Sequence, residues 1–186
     1  MTFVPQRVFN GTDSDNVINA GFNLNEDIRD LMVGNGGNDV MQAGAGDDWM
    51  LGNAGDDVLE GNRGNDMLFG GTGNDQLRGG IGADTLSGDY GADLLRGDNG
   101  TVMGFIDTFV FNSTTAGLAG KSGGFASDTV LDFEAGVDIL LFSGFDAADL
   151  TYTQVGANVV VSLTGEYDLV TVLNASTAAV ITASDF

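Results

Sequence analysis

Large apolar residues recur at every ninth position through the middle of the chain. They are Met41, Met50, Leu59, Leu68, Leu77, Leu86 and Leu95. An aspartate stands two residues before each of them: Asp39, Asp48, Asp57, Asp66, Asp75, Asp84 and Asp93. A glycine stands two residues before every one of these aspartates, although glycine makes up only 30 of the 186 residues. A register this regular identifies residues 34–96 as a run of nine-residue repeats.

Each repeat is predicted to form a turn followed by a short strand. Its first six residues are rich in Gly, Asn and Asp, which favour tight turns because they tolerate positive φ. The last three predict a strand whose middle residue points away from its two neighbours. One repeat cannot bury its apolar residue alone, but repeats stacked alternately into two parallel sheets can. The pattern therefore predicts an all-β stack in which Met41 to Leu95 form one narrow core.

The residues on either side of each core position point outward and distinguish the two predicted sheets. One outer face is mixed: Val40, Gln42, Val58, Glu60, Gln76, Arg78, Leu94 and Arg96. The other outer face is apolar over its first three strands and polar on the fourth: Leu31, Val33, Trp49, Leu51, Met67, Phe69, Thr85 and Ser87. Such an apolar patch is larger than a soluble monomer normally exposes. We expect it to be covered, either by residues 3–24 or by a homodimer or partner protein on the Trp49/Leu51/Met67/Phe69 face.

Both ends of the chain depart from the repeat. Residues 11–19 form a degenerate unit with Asn16 in the aspartate position, and residues 23–32 form either an irregular capping coil or a short helix. Beyond Asp98, alternating β-rich runs predict strands at 108–111, 129–133, 139–142, 155–163 and 169–173. We therefore divide the chain into an N-terminal capping segment (1–33), a repeat domain (34–100) and a C-terminal β cap (101–186).

The composition excludes several kinds of site and partner. The chain has 6 Lys and Arg against 27 Asp and Glu, a net charge of −21 that repels nucleic acid and anionic membranes. It has no Cys and no His, which excludes disulfides, zinc-thiolate sites and histidine-based catalytic triads. No apolar run has the length of a membrane span or a cleavable secretory signal. We expect a non-enzymatic protein with no nucleic-acid partner and no membrane insertion.

Stacking would align the repeat aspartates in columns, whose repulsion a bound cation would relieve. Calcium fits because it takes six to eight oxygen ligands, which carboxylates and the carbonyls of Gly-rich turns supply. Repeats two apart lie on the same edge of the stack. The predicted pairs are Asp39 with Asp57, Asp48 with Asp66, Asp57 with Asp75, Asp66 with Asp84, Asp75 with Asp93 and, in a weaker frame, Asp30 with Asp48. These pairs predict about six calcium ions.

Residues 70–78, Gly-Gly-Thr-Gly-Asn-Asp-Gln-Leu-Arg, resemble the repeats-in-toxin (RTX) nonapeptide G-G-x-G-x-D-x-U-x. The resemblance implies a right-handed parallel β-roll in which the aspartate carboxylates and the carbonyls of the glycine turns bind calcium. The glycines expected to lie at these sites are Gly34, Gly37, Gly44, Gly46, Gly52, Gly55, Gly61, Gly64, Gly71, Gly73, Gly80 and Gly82.

Residues 107–111 (Asp-Thr-Phe-Val-Phe) together with residues 128–138 resemble the C-terminal domain of serralysin-type secreted proteins. That resemblance implies a β-sandwich-like cap on the roll and an uncleaved type I export signal. It also implies that Asp128 and Asp138 bind calcium. The alternative for these two residues is that they are solvated turn aspartates.

The leading functional hypothesis is therefore a secreted or cell-surface calcium-binding module that folds when it meets calcium outside the cell. The alternatives are a polysaccharide- or surface-binding adhesion module and the C-terminal module of a larger secreted hydrolase. A zinc metalloprotease would need a further domain, because this chain has no His for its zinc site.

Overall fold

A computed structural model of the chain describes residues 6–20, 28–98, 104–112, 127–146, 148, 150–163 and 168–173. Nearly all regular structure in these ranges is β-strand, divided between two sheets. The first sheet contains β1 (Arg7–Asn10), β3 (Asp30–Gly36), β5 (Trp49–Ala54), β7 (Met67–Thr72), β9 (Thr85–Tyr90), β11 (Thr108–Asn112) and β13 (Ile139–Ser143). The second contains β2 (Val17–Asn19), β4 (Val40–Ala45), β6 (Val58–Arg63), β8 (Gln76–Ile81), β10 (Leu94–Asp98), β12 (Asp128–Val130), β14 (Leu150–Val155), β15 (Asn158–Leu163) and β16 (Asp168–Val172).

From β1 to β13 the chain alternates between the two sheets, so that each of these strands pairs with strands two elements away, whereas β14, β15 and β16 all join the second sheet. The first sheet runs in the order β1-β3-β5-β7-β9-β11-β13, and the second runs β2-β4-β6-β8-β10-β12-β16-β15-β14. All pairs are parallel except β14–β15 and β15–β16. The predicted parallel β-roll is confirmed.

The core is one hydrophobic cluster to which both sheets contribute. The predicted residues Met41 to Leu95 are all buried, with exposed fractions of 2% or less. The cluster continues through Phe109, Val130 and Leu140 because β11, β12 and β13 extend the same parallel sheets. At the other end Phe9 and Ile18 pack against it from β1 and β2. The roll therefore extends in both directions beyond the regular repeats.

The N-terminal segment adds strands to the ends of both sheets. β1 pairs with β3, and β2 pairs with β4. Of the helix or capping coil considered for 23–32, residues 21–27 lie outside the described residues, and Asp30 already begins β3. A helix reaching residue 32 is therefore wrong, since parallel pairing with β5 keeps this stretch extended.

The C-terminal strands follow the predictions except at residues 131–133 and at one turn. The strands predicted at 108–111, 139–142 and 169–173 appear as β11, β13 and β16, whereas the strand predicted for 129–133 is too long, because β12 ends at Val130. The single strand predicted for 155–163 is wrong at its start, because the chain reverses at Gly156 (φ 64°) and pairs β14 with β15 as an antiparallel hairpin. Among the described residues no helix has the length and apolar character needed to cross a membrane.

Candidate metal centres

Asp residues, and one Asn, at the start of strands β2 to β13 form two columns along the edges of the roll. Column A begins the strands of the first sheet and contains Asp30, Asp48, Asp66, Asp84, Asp107 and Asp138. Column B begins those of the second sheet and contains Asn16, Asp39, Asp57, Asp75, Asp93 and Asp128. The two members of every pair expected from the sequence are neighbours in one column. Asp107, Asp128 and Asp138 continue the columns past the regular repeats.

One oxygen of each aspartate links consecutive members of a column. The Asp57 Oδ1 accepts a hydrogen bond from the Asp39 backbone N–H at 2.7 Å, and the Asp84 Oδ1 accepts one from Asp66 at 2.8 Å. The same bond recurs from Asp30 to Asp138 in column A and from Asn16 to Asp128 in column B, at 2.7–3.1 Å. The carboxylates are therefore held at fixed positions, with the Oδ1 of each committed to the backbone.

The second oxygen of most column members has no partner. Eight buried Oδ2 atoms make no hydrogen bond, and they belong to Asp39, Asp48, Asp57, Asp66, Asp75, Asp84, Asp93 and Asp107. Leaving a charged oxygen buried and unpaired is costly, because nothing replaces the water that it has lost. A row of such atoms is the strongest indication in the roll of a bound cation.

Glycine at the first turn position makes room for these oxygens. A Cβ on Gly52 or Gly61 would meet the Oδ2 of Asp57 or Asp66, respectively, in the same repeat. The predicted glycines Gly34, Gly52 and Gly61 all occupy this first position. In these repeats the absence of a side chain at the first position keeps open the space around the unpaired carboxylate oxygen.

Carbonyl oxygens line the same turns. The Gly46 carbonyl approaches the Gly64 Cα so closely that a Cβ there would clash with it, and Gly64 also has a φ of 125° that disfavours other residues. The other predicted glycines share such positive φ angles at the second or fourth turn position: Gly37, Gly44, Gly46, Gly55, Gly71, Gly73, Gly80 and Gly82. The donor set of carboxylate and carbonyl oxygens is the set that calcium prefers.

The raised pKa values of the column aspartates also indicate a cation site. Burial raises the pKa of Asp66 to about 9, and the neighbouring carboxylates of Asp84 and Asp48 contribute to the rise. Burial likewise raises the pKa of Asp75 and Asp84 to about 7 and that of Asp107 to about 8. The raised values show that the roll disfavours the ionised carboxylates when no cation is near them.

Carboxylates alone do not complete a site. In the described ranges no group of three or more Asp or Glu side chains is arranged to hold a metal ion. An ion in these turns would therefore take several of its ligands from backbone carbonyls, as the Gly-rich turns permit.

The first and last aspartates of column A both accept hydrogen bonds from other groups of the protein on their second carboxylate oxygen. Both oxygens of Asp30 contact the Arg7 guanidinium, at 2.8 and 2.6 Å. At the other end, Asp138 accepts the backbone N–H of Glu134 on its Oδ2, at 2.7 Å. Asp30 and Asp138 therefore differ from the column members between them, whose Oδ2 atoms are unpaired.

A second ladder on the outside of the turns was not anticipated from the sequence. The side chain at the fifth turn position accepts the backbone N–H of the residue 18 positions later, at 2.7–3.1 Å. The acceptors are Asn38, Asp47, Asp56, Asn65 and Asn74. The signal was present, because this position is Asn or Asp until it becomes Ala at 83 and 92.

Asp107 was likewise missed as a site residue. It follows Asp84 by 23 residues, which takes it out of the nine-residue frame. The local signal is the aspartate two residues before a buried apolar residue, here Phe109, and that signal survives every insertion.

Comparison with known families agrees with this geometry. Residues 33–68 and 69–101 match the family model described as RTX calcium-binding nonapeptide repeat (4 copies). No curated protein matches the chain. The roll thus carries calcium-binding repeats of the RTX type, and the two matches span all the regular nonapeptides.

Proposed function

We propose that this chain is an extracellular, non-enzymatic module whose folding depends on calcium. The observation that carries the proposal is the set of eight buried, unpaired Oδ2 atoms in the two columns. Each is fixed by the hydrogen bonds of its own Oδ1 and faces a turn rich in carbonyls. The match to a calcium-binding repeat family supports the choice of ion.

The proposed ligands are the column aspartates and the carbonyls of the glycine turns. Calcium, when bound, supplies the positive charge that the columns lack and draws neighbouring turns together through shared oxygens. The pairing of aspartates two repeats apart gives about six ions in the regular roll. We also propose Asp128 and Asp138 as ligands. Asp138 needs an ion less than the other column members do, because both of its carboxylate oxygens already accept backbone N–H groups.

Such sites couple binding to folding. The turns and their ligands come together only when the strands stack, so calcium binds the folded state and stabilises it by mass action. Extracellular modules bind calcium with dissociation constants of about 10⁻⁴ to 10⁻³ M. With such an affinity the chain stays unfolded at the low calcium concentration inside the cell and folds at the higher concentration outside. The net charge of −21 contributes by opposing compaction in the absence of calcium.

For the C-terminal part we propose a serralysin-like β cap with a type I export signal, within the division 1–33, 34–100 and 101–186. Support comes from the sequence resemblance and from the antiparallel β14–β15–β16 unit at the end of the second sheet. The family matches stop at residue 101, so the cap rests on those two observations.

The test is far-UV circular dichroism of the whole chain in chelator and in millimolar calcium. We expect a largely disordered spectrum in chelator and a β spectrum in calcium, with a steep transition. Magnesium at the same concentration is the control for ionic strength. A β spectrum that chelator does not change would overturn the proposal.

One surface favours the adhesion alternative. Arg78 and Arg96 are register partners on adjacent strands and line a shallow groove of about 100 Å³ on the outer face of the second sheet. Two guanidinium groups in an acidic protein suit a carboxylated polysaccharide. Retention of the calcium-loaded protein on such a polymer should fall for Arg78→Ala and Arg96→Ala and stay unchanged for Arg63→Ala, at the exposed end of β6.

We also propose that the apolar outer face of the first sheet forms a homodimer or binds a partner protein. Trp49, Leu51, Met67 and Phe69 lie side by side on β5 and β7, and all four are half-buried. In the described part of residues 3–24, β1 continues this sheet at its edge. Because the described part of this segment adds a strand at the edge, we propose a second copy or a partner protein as the cover of the face.

A further inference from the structure

Asp98 is a buried acid that the columns do not include. It is the last residue of β10 and occupies the second turn position, where other repeats have Asn62, Gly71 and Gly80. Its side chain is 2% exposed, and its Oδ1 has no hydrogen-bond partner. A buried carboxylate with an unpaired oxygen therefore lies at a position that is Gly or Asn in all the regular repeats except the one with Asp89.

Two further acids converge on the same turn. The Asp132 carboxylate accepts the backbone N–H groups of both Gly97 and Asp98, at 2.9 and 3.0 Å. The unpaired Oδ2 of Asp107 faces the Gly97 Cα, where a Cβ would meet it. Two unpaired, buried carboxylate oxygens thus lie on one turn, and the chain segment that carries Asp132 is tied to it.

The charged neighbours of Asp98 do not neutralise it. Burial raises the pKa of Asp98 to about 6, and the charged groups that contribute to the rise are both acidic, Glu134 and Asp132. A carboxylate that is buried and unpaired at one oxygen is unfavourable in its charged form without a counter-charge. A cation supplies that counter-charge.

We propose that Asp98 and Asp107 bind one divalent cation of the calcium type at the end of β10, outside the nonapeptide register. The donors are all oxygen, which selects a hard cation. Asp98 and Asp107 lie outside the nine-residue spacing, which suits calcium because its coordination is more flexible than that of magnesium. The ion would join the last regular coil to the segment 132–138, which closes column A.

This inference goes beyond the proposed function, in which second-position residues contribute only carbonyls. Native mass spectrometry in calcium counts the ions in each variant. Asp98→Asn keeps the shape of the side chain and should lose one ion while the other ions and the β spectrum remain. An unchanged ion count in a folded Asp98→Asn protein would overturn the proposal.

The matched control is Asp89→Asn, in the same turn position one repeat earlier. Asp89 is only half-buried, and its Oδ1 accepts the Ser87 hydroxyl at 2.9 Å, so its substitution should leave the ion count unchanged. Loss of an ion from Asp89→Asn as well would show that the count does not report on Asp98 and would overturn the assignment.

Anomalous scattering from calcium-grown crystals of the wild-type chain gives a second readout that needs no variant. We expect a peak at about 2.3–2.6 Å from the Asp98 Oδ1. Peaks in the columns without one at Asp98 would overturn this proposal alone. A peak at Asp98 with none in the columns would instead overturn the proposed function and leave this site standing.

Discussion

Arg7 and Asp30 form a two-bonded ion pair at the N-terminal end of column A. The guanidinium donates from Nε and Nη2 to the two carboxylate oxygens, at 2.8 and 2.6 Å. Asp30 is fully buried, whereas the Arg7 side chain is 37% exposed. The next column member, Asp48, has an unpaired Oδ2 instead. A protein cation thus satisfies the first carboxylate of a column whose interior carboxylates lack one.

Arg7→Gln removes this cation and leaves a buried carboxylate with two unsatisfied oxygens. We expect the free energy of unfolding in calcium to fall by about 2 kcal/mol, the scale of a hydrogen bond to a charged group. Denaturant titration in excess calcium measures it. The control is Arg78→Gln, whose contact with Glu60 is long (3.5 Å) and exposed, and whose loss should cost under about 0.5 kcal/mol. Equal losses would contradict the special role of Arg7.

Asp66→Asn should change stability in opposite directions with and without calcium. In chelator, the substitution removes a buried acid whose pKa burial raises to about 9, so the folded population at neutral pH should increase. In calcium, it removes a ligand oxygen, so the calcium midpoint for folding should rise about tenfold. Circular dichroism across a calcium titration measures both effects. A loss of stability in both conditions would contradict the role of the charge, because Asn keeps an oxygen that can accept the Asp48 backbone N–H.

The calcium-free roll should gain stability as the pH falls. Burial raises the pKa of Asp57 to about 6, that of Asp84 to about 7 and that of Asp107 to about 8, all above the unfolded value of about 3.8. Because the folded values are raised, protonation favours the fold. This stabilisation is complete below about pH 4 and is lost as the pH rises through about 6 to 8.

Calcium-free protein should therefore show more β signal by circular dichroism at about pH 5 than at about pH 8. In excess calcium the order should reverse, because protons compete with the ion for the same oxygens. A calcium-free spectrum that does not change across this range would mean that the column carboxylates are solvated when no ion is bound.

The repeat predicted the core and the two columns because a fixed period converts a sequence position directly into a place in the roll. The aspartate two residues before each core residue keeps its role even where the period fails. Asp107 and Asp138 join column A after intervals of 23 and 31 residues. The nine-residue period did not predict the pairing of Arg7 with Asp30. These residues are 23 positions apart and an irregular insertion lies between them, so no repeat spacing relates one to the other.

Asp98 and the β14–β15 hairpin show the same limit. Asp98 occupies a turn position that is ordinarily Gly or Asn, and only its burial in the folded chain distinguishes it from Asp89. Residues 150–163 form two strands because Gly156 turns the chain, whereas the run of β-branched residues after it predicted one. Burial in the folded chain therefore distinguishes Asp98, and the turn at Gly156 produces the hairpin.

If the apolar face of the first sheet forms the proposed homodimer, the assembly should depend on Phe69. This side chain lies beside Leu51 in the register of β7 with β5, so Phe69→Glu places a charge among apolar neighbours. We expect sedimentation analysis in calcium to give a dimer for the wild type at micromolar concentration and a monomer for Phe69→Glu. Trp49 emission, blue-shifted in the dimer, should move to longer wavelength as the wild type is diluted.

Leu94→Glu is the matched control, because Leu94 lies on the outer face of the second sheet and is 41% exposed. It adds the same charge to the opposite face, so the dimer should persist. A wild type that stays monomeric at all concentrations while Trp49 remains shielded from iodide would show that another part of the same chain covers the face. Dissociation by both variants would place the effect in the added charge and not in the first sheet.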